Sequence, residues 1–84
     1  MSIQQTHALP DSSEDARVEQ VLAIVRQVLS KPGLTADDEV MDFGGTSLSI
    51  VRILAEIRKT LGTDVNLREL GGSVTARSLV RAAR

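Results

Sequence analysis

The chain has 84 residues, enough for one small domain. It holds no cysteine, one aromatic residue (Phe43) and a formal net charge of −1; this excludes a disulfide framework, thiolate chemistry from the protein itself, a basic nucleic-acid footprint and base stacking. No apolar run is long enough to span a bilayer and no apolar segment with a basic flank reads as a signal peptide, so the expected compartment is the cytoplasm, with no membrane partner.

Residues 1–13 are polar, carry Pro10 and lack periodicity; they read as a mobile leader, with the folded domain over 14–84. Val18, Val21, Leu22, Val25, Val28 and Leu29 then recur at helical spacing and predict an amphipathic first helix. Ser12 or Ser13 is placed to cap it, Glu14 and Asp15 suit its first turn, and Pro32-Gly33 is the expected stop. The segment from Leu34 to Thr46 is long for a connection between helices, and loops of that length are usually functional or disordered. Leu34, Val40, Met41 and Phe43 are apolar anchors, which predicts an ordered loop packed on the core. Asp37, Asp38, Glu39 and Asp42 cluster in this loop, without the spacing of a calcium loop and with no histidine or cysteine beside them, so no metal site is predicted.

The second helix is predicted over Ser47–Leu61, with Gly62 as its C-terminal cap. It carries two apolar stripes. Ile50, Ile53, Leu54, Ile57 and Leu61 form one; Leu48, Val51 and Ala55 form another, rotated away and interrupted by Arg52. A helix on the rim of a small bundle buries one stripe, so the second is expected to be exposed for transient docking of a partner. A short helical turn follows at Leu67–Leu70, capped by Asn66 and ended by Gly71-Gly72. Ser73 or Thr75 caps a last helix with Ala76, Leu79, Val80 and Ala83 on one face, and Arg77, Arg81 and Arg84 are expected to complement its end. The fold class is all-α: a small four-helix bundle, three longer helices and one short one, with a long first loop.

Ser47 stands out. It follows Gly44-Gly45-Thr46 and precedes the apolar periodicity, so its hydroxyl sits at a helix start. The run lacks the second glycine of a G-x-S-x-G nucleophile elbow and any preceding strand, and the single histidine, His7, lies in the leader; no catalytic base is within reach. Walker A and Rossmann glycine patterns are absent too. On spacing alone, Ser47 as a structural N-cap and Ser47 as a functional site stand about even.

The run Asp38-Glu39-Val40-Met41-Asp42-Phe43-Gly44-Gly45-Thr46-Ser47-Leu48 resembles the attachment site of phosphopantetheine-bearing carrier proteins, and its glycine pair is closest to the peptidyl carrier (thiolation) type of nonribosomal peptide synthetase systems. The resemblance continues through Ile50, Ile53 and Ile57 to Asp64–Leu70. It implies that Ser47 accepts 4′-phosphopantetheine from coenzyme A, that Phe43, Gly44 and Gly45 support the motif, and that Thr46, Leu48, Val51, Arg52 and Ala55 face partners. It further implies a carrier without catalysis of its own; most such domains are embedded in large synthetases, but the start at Met1 with its own leader predicts a free-standing carrier here, expected to be a monomer. Its partners would be a phosphopantetheinyl transferase, an adenylation or acyl-loading enzyme, and condensation or tailoring enzymes. An acyl carrier of a polyketide pathway, and a helical interaction module in which Ser47 is only a cap, are the alternative readings. Departures from the family pattern lie at Thr46, where His, Asp or Asn is usual, at Val40-Met41 in place of paired aromatics, and at Gly71-Gly72 in place of bulkier residues.

Overall fold

The structure, a computed structural model, describes the backbone of residues 4–83 and the side chains of residues 14–83. Three α-helices form: α1 (Gln4–Leu29), α2 (Ser47–Leu61) and α3 (Ala76–Arg81), with 3₁₀ turns at Val40–Phe43 and Leu67–Leu70. Among the described residues there is no strand beyond a single antiparallel bridge between Val65 and Ala83.

Helix α1 starts well before the expected cap at Ser12 or Ser13. Ser12 and Ser13 cost a helix only about 0.5 kcal/mol each relative to alanine, and the helix also runs through Pro10, which has no backbone N–H to donate. Its end also comes earlier than Pro32-Gly33. Ser30 takes up a left-handed conformation (φ 57°), the Ser30 N–H donates to the Gln27 carbonyl at 3.3 Å, and the Lys31 N–H donates to the Arg26 carbonyl at 3.0 Å. These two bonds are the reciprocal pair of a Schellman cap, with serine where glycine is commonest. Pro32 then lies beyond the cap, where it keeps the helix from resuming.

The core is built where the apolar periodicity places it. Val18, Val21, Leu22, Ile24 and Val25 of α1 pack with Ile53 and Ile57 of α2 and with Ala76, Leu79 and Val80 of α3, and α1 contacts both other helices. The long first loop is ordered as expected, held by Leu34 and Val40, both fully buried, each burial contributing about 2 kcal/mol. Phe43 is half-buried against the core, whereas Met41, expected to be an anchor, is 49% exposed. The 3₁₀ turn explains the difference: Val40 points into the core and its neighbour one residue on points to solvent.

Polar pairing closes the loop against α3. The Val40 N–H donates to the Val74 carbonyl at 2.8 Å, and the Glu39 carboxylate accepts the Val74 N–H at 2.9 and 3.0 Å and the Ser73 hydroxyl at 3.1 Å. The Arg77 N–H donates to the Ala36 carbonyl at 3.1 Å and its guanidinium meets Asp37 at 2.9 Å. That hydrogen bond and charge hold the Asp37 carboxyl below its ordinary range. Asp38 accepts the Thr35 N–H at 2.7 Å. Three of the four loop carboxylates are therefore committed to holding the loop in place. Contrary to the expectation that Arg77, Arg81 and Arg84 complement the end of α3, Arg77 sits in its first turn; Arg81 is the last residue of that helix, and Arg84 lies outside the described residues.

Thr75, and not Ser73, caps α3: its side chain accepts the Ser78 N–H at 3.0 Å while the Ser78 hydroxyl accepts the Thr75 N–H at 2.9 Å. Asn66 caps the second 3₁₀ turn as expected, accepting the Arg68 N–H at 3.1 Å. Helix α3 is only six residues long, shorter than the substantial last helix predicted.

Candidate functional site

The loop arrives at α2 through two glycines with different physical reasons. Gly44 has φ 87°, a left-handed position that ends the 3₁₀ turn, and its N–H donates to the Val40 carbonyl. Gly45 is buried, and a Cβ there would fall 2.7 Å from the Val40 carbonyl oxygen and against the Val40 side chain. The pair is thus a folding device, doubling the chain back over Val40. It is this packing that requires glycine at position 45.

The residue after them is the N-cap of α2. Thr46 has extended geometry (φ −127°, ψ 175°), and its hydroxyl accepts the Ser49 N–H at 3.2 Å. The Thr46 and Ser49 hydroxyls lie 3.3 Å apart, within hydrogen-bond range of each other. The reading of Ser47 as the cap is therefore corrected: Ser47 is the first helical residue, and the cap is the residue before it. We expect Thr46→Ala to destabilise the domain by about 1 kcal/mol in chemical denaturation, with Thr46→Asp close to the parent.

Ser47 itself is exposed and its hydroxyl makes no hydrogen bond among the described residues. The first intrahelical bond of α2 runs from the Ile50 N–H to the Thr46 carbonyl at 3.0 Å. The Ser47 and Leu48 N–H groups precede it and have no helical acceptor, leaving donors and the positive end of the helix dipole beside an unengaged hydroxyl.

The remaining expected site residues divide cleanly. Phe43 is half-buried and belongs to the core edge. Leu48 is 67% and Val51 60% exposed, and Ala55 and Arg52 are exposed on the same side of α2, so the second stripe is surface. Ile53 and Ile57 of the first stripe are buried, with Ile50, Leu54 and Leu61 half-buried beside them. Leu48→Glu or Val51→Glu is expected to leave the circular dichroism spectrum unchanged and the unfolding free energy within about 0.5 kcal/mol of the parent, since neither side chain packs in the core. Sequence reasoning missed Leu67, 53% exposed on its 3₁₀ turn, and took Met41 for core; the three- and four-residue spacing that separates helix faces does not apply to a four-residue 3₁₀ turn. Arg52 and Ala55 also line a shallow groove of about 270 Å³ with Gln27, Val28 and Glu56.

Comparison with known proteins bears directly on this geometry. Residues 19–83 match the family described as "Phosphopantetheine attachment site". The probable non-canonical nonribosomal peptide synthetase CymA of Salinispora arenicola is 36% identical over 62 residues, covering 73% of this chain and 1% of that protein. The AMB antimetabolite synthetase AmbE of Pseudomonas aeruginosa is 34% identical over 77 residues, covering 92% of this chain and 4% of that protein. The chain thus spans between 1% and 4% of the length of these curated relatives.

Proposed function

The chain belongs to the phosphopantetheine attachment site family, whose members bind 4′-phosphopantetheine covalently, and from this premise we propose that Ser47 is the attachment point in a peptidyl carrier. The observation that carries the assignment is the free, exposed Ser47 hydroxyl at the first position of α2, with the capping role taken by Thr46. We read the three α-helices and the 3₁₀ turn at Leu67–Leu70 as the four-helix bundle of carrier domains.

The residues present fit the group. The Ser47 and Leu48 N–H groups and the dipole of α2 favour an anion at the Ser47 side chain, as a phosphodiester requires. Thr46 holds the first turn in register, and the Gly44-Gly45 turn brings the chain back over Val40 to the exposed serine. When attached, the arm supplies the thiol that this cysteine-free chain lacks, for a thioester-linked aminoacyl or acyl cargo. The chain's own part is to present the arm, not to catalyse.

The likeness to the CymA and AmbE synthetases supports nonribosomal peptide assembly as the setting. The working partners are then a phosphopantetheinyl transferase, an adenylation enzyme that loads the cargo, and condensation or tailoring enzymes that take it. None of the described helices is long and apolar enough to cross a membrane, and we place the carrier in the cytoplasm with these enzymes. The test is to incubate the protein with coenzyme A and a broad-specificity phosphopantetheinyl transferase, then to weigh it intact and map the modified peptide. A gain of one phosphopantetheinyl group on the peptide that holds Ser47 is expected; no gain overturns the assignment.

A further inference from the structure

Glu39 stands at the N-cap position of the 3₁₀ turn Val40–Phe43, in extended geometry (φ −77°, ψ 125°), yet its side chain makes no bond to that turn. It reaches instead to a segment 34 and 35 residues further along the chain. Its Oε2 and Oε1 accept the Val74 N–H at 2.9 and 3.0 Å, and Oε1 also accepts the Ser73 hydroxyl at 3.1 Å. The Val40 N–H donates to the Val74 carbonyl at 2.8 Å, so residues 39–40 and 73–74 are bonded in both directions. The turn that presents Ser73 and Val74 is Gly71-Gly72, with φ 65° and 86° and open space around each Cβ position. It needs glycine for its left-handed backbone and not for clearance. The second glycine pair of the chain thus has its acceptor in the first loop.

This grip is passed on to the serine. The Val40 carbonyl accepts the N–H of Gly44, and that of Gly45 at 3.0 Å. A single extended residue, Thr46, then joins Gly45 to Ser47. Asp37 and Asp38 tie the loop upstream of this path, at Arg77 and Thr35. We propose that Glu39 is a positioning residue for the modification of Ser47. Its clasp on Ser73 and Val74, a charge-assisted bond of the stronger kind, keeps Val40 and the Gly44-Gly45 turn seated and so fixes where α2 presents its first hydroxyl. The role rests on Ser47 being the attachment point. With the clasp open, Ser47 samples several placements and only the seated fraction is competent. The apparent KM for the carrier then rises by the inverse of that fraction while kcat is kept.

The experiment compares the wild-type chain with Glu39→Ala, Glu39→Gln and Arg26→Ala. Arg26→Ala removes a bond of the same kind at the other end of the loop, from the Arg26 Nε–H to the Leu34 carbonyl at 2.7 Å. Initial rates of modification are measured against carrier concentration, with coenzyme A and a broad-specificity phosphopantetheinyl transferase, and amide hydrogen exchange is followed in the unmodified chains. Glu39→Ala raises KM about fivefold with kcat within about twofold. Glu39→Gln, which keeps one oxygen for the Val74 N–H, falls between it and the wild type, and Arg26→Ala stays within about twofold. The Gly45 amide exchanges about tenfold faster in Glu39→Ala and within about twofold of the wild type in Arg26→Ala, because the local opening that exposes it breaks the clasp and not the Leu34 anchor. Circular dichroism checks that each variant is folded; if Glu39→Ala is not, Ser73→Ala takes its place, with KM raised about twofold. A KM unchanged in the clasp variants, an equal rise in Arg26→Ala, or a Gly45 amide that exchanges at the wild-type rate overturns the positioning role while leaving Ser47 as the attachment point. A wild type that takes up no phosphopantetheine removes the Ser47 assignment, and this role with it.

Discussion

Ser47→Ala is expected to abolish uptake of phosphopantetheine completely while leaving stability within about 0.5 kcal/mol of the parent. Few substitutions separate function from folding so sharply, and the reason is local. The Ser47 hydroxyl is exposed and donates to nothing among the described residues. The donor that a capping serine would satisfy, the Ser49 N–H, is held by Thr46 at 3.2 Å. Alanine is the strongest helix former and fits the first helical position without loss. The measurement pairs intact mass after treatment with coenzyme A and transferase with a urea denaturation curve. A mass gain that persists in the variant moves the attachment elsewhere; a large fall in stability shows that the serine is structural. Thr46→Ala is the mirror experiment: it weakens the fold by about 1 kcal/mol and keeps the acceptor hydroxyl, so the two neighbours are distinguishable by which readout each one moves.

The second large effect is expected from Gly45→Ala, a loss of about 3 kcal/mol, a large share of what a domain of this size has to lose. A Cβ at this position meets the Val40 carbonyl oxygen at 2.7 Å and the Val40 side chain. Neither neighbour is free to retreat. Val40 is fully buried, its N–H is bonded to the Val74 carbonyl at 2.8 Å, and its carbonyl accepts the Gly45 N–H at 3.0 Å. The added methyl therefore separates the loop from α3 or shifts the start of α2. Gly44→Ala has open space around its Cβ but a φ of 87°, and is expected to lose about 1–2 kcal/mol from backbone strain alone. Gly33→Ala, with nothing within 4 Å and no positive φ, is the neutral control. Equal midpoints for Gly45→Ala and Gly33→Ala in thermal or urea unfolding contradict the packing account.

The loop chemistry shows how far local reasoning reaches. The four carboxylates at Asp37, Asp38, Glu39 and Asp42 look from spacing alone like a feature of the serine's surroundings. In the fold, Glu39 reaches Val74 and Ser73, Asp37 reaches Arg77, and Asp38 closes its own turn on Thr35. The first two partners lie 35 and 40 residues away along the chain, beyond anything periodicity can show. Met41 was misplaced for a related reason: whether a residue of a 3₁₀ turn faces the core depends on how the turn is set against α1 and α3. The boundaries of α2, by contrast, were legible to the residue, because Thr46, Ser47 and Gly62 act through bonds to neighbours within four positions.

The all-helical class, the faces of α1 and α2 that enter the core, the span of α2 and the position of Ser47 at its start are all legible in the amino-acid sequence. These follow from short-range regularities: the helical repeat, the capping residues and the glycine pair. The packed fold alone shows why Gly45 must be glycine, that Glu39 and Asp37 reach Val74 and Arg77, and that Met41 lies at the surface. Those outcomes depend on contacts between segments far apart in the chain. Val40 is held in place by the Val74 carbonyl far along the chain, and it is against Val40 that a side chain at position 45 would clash.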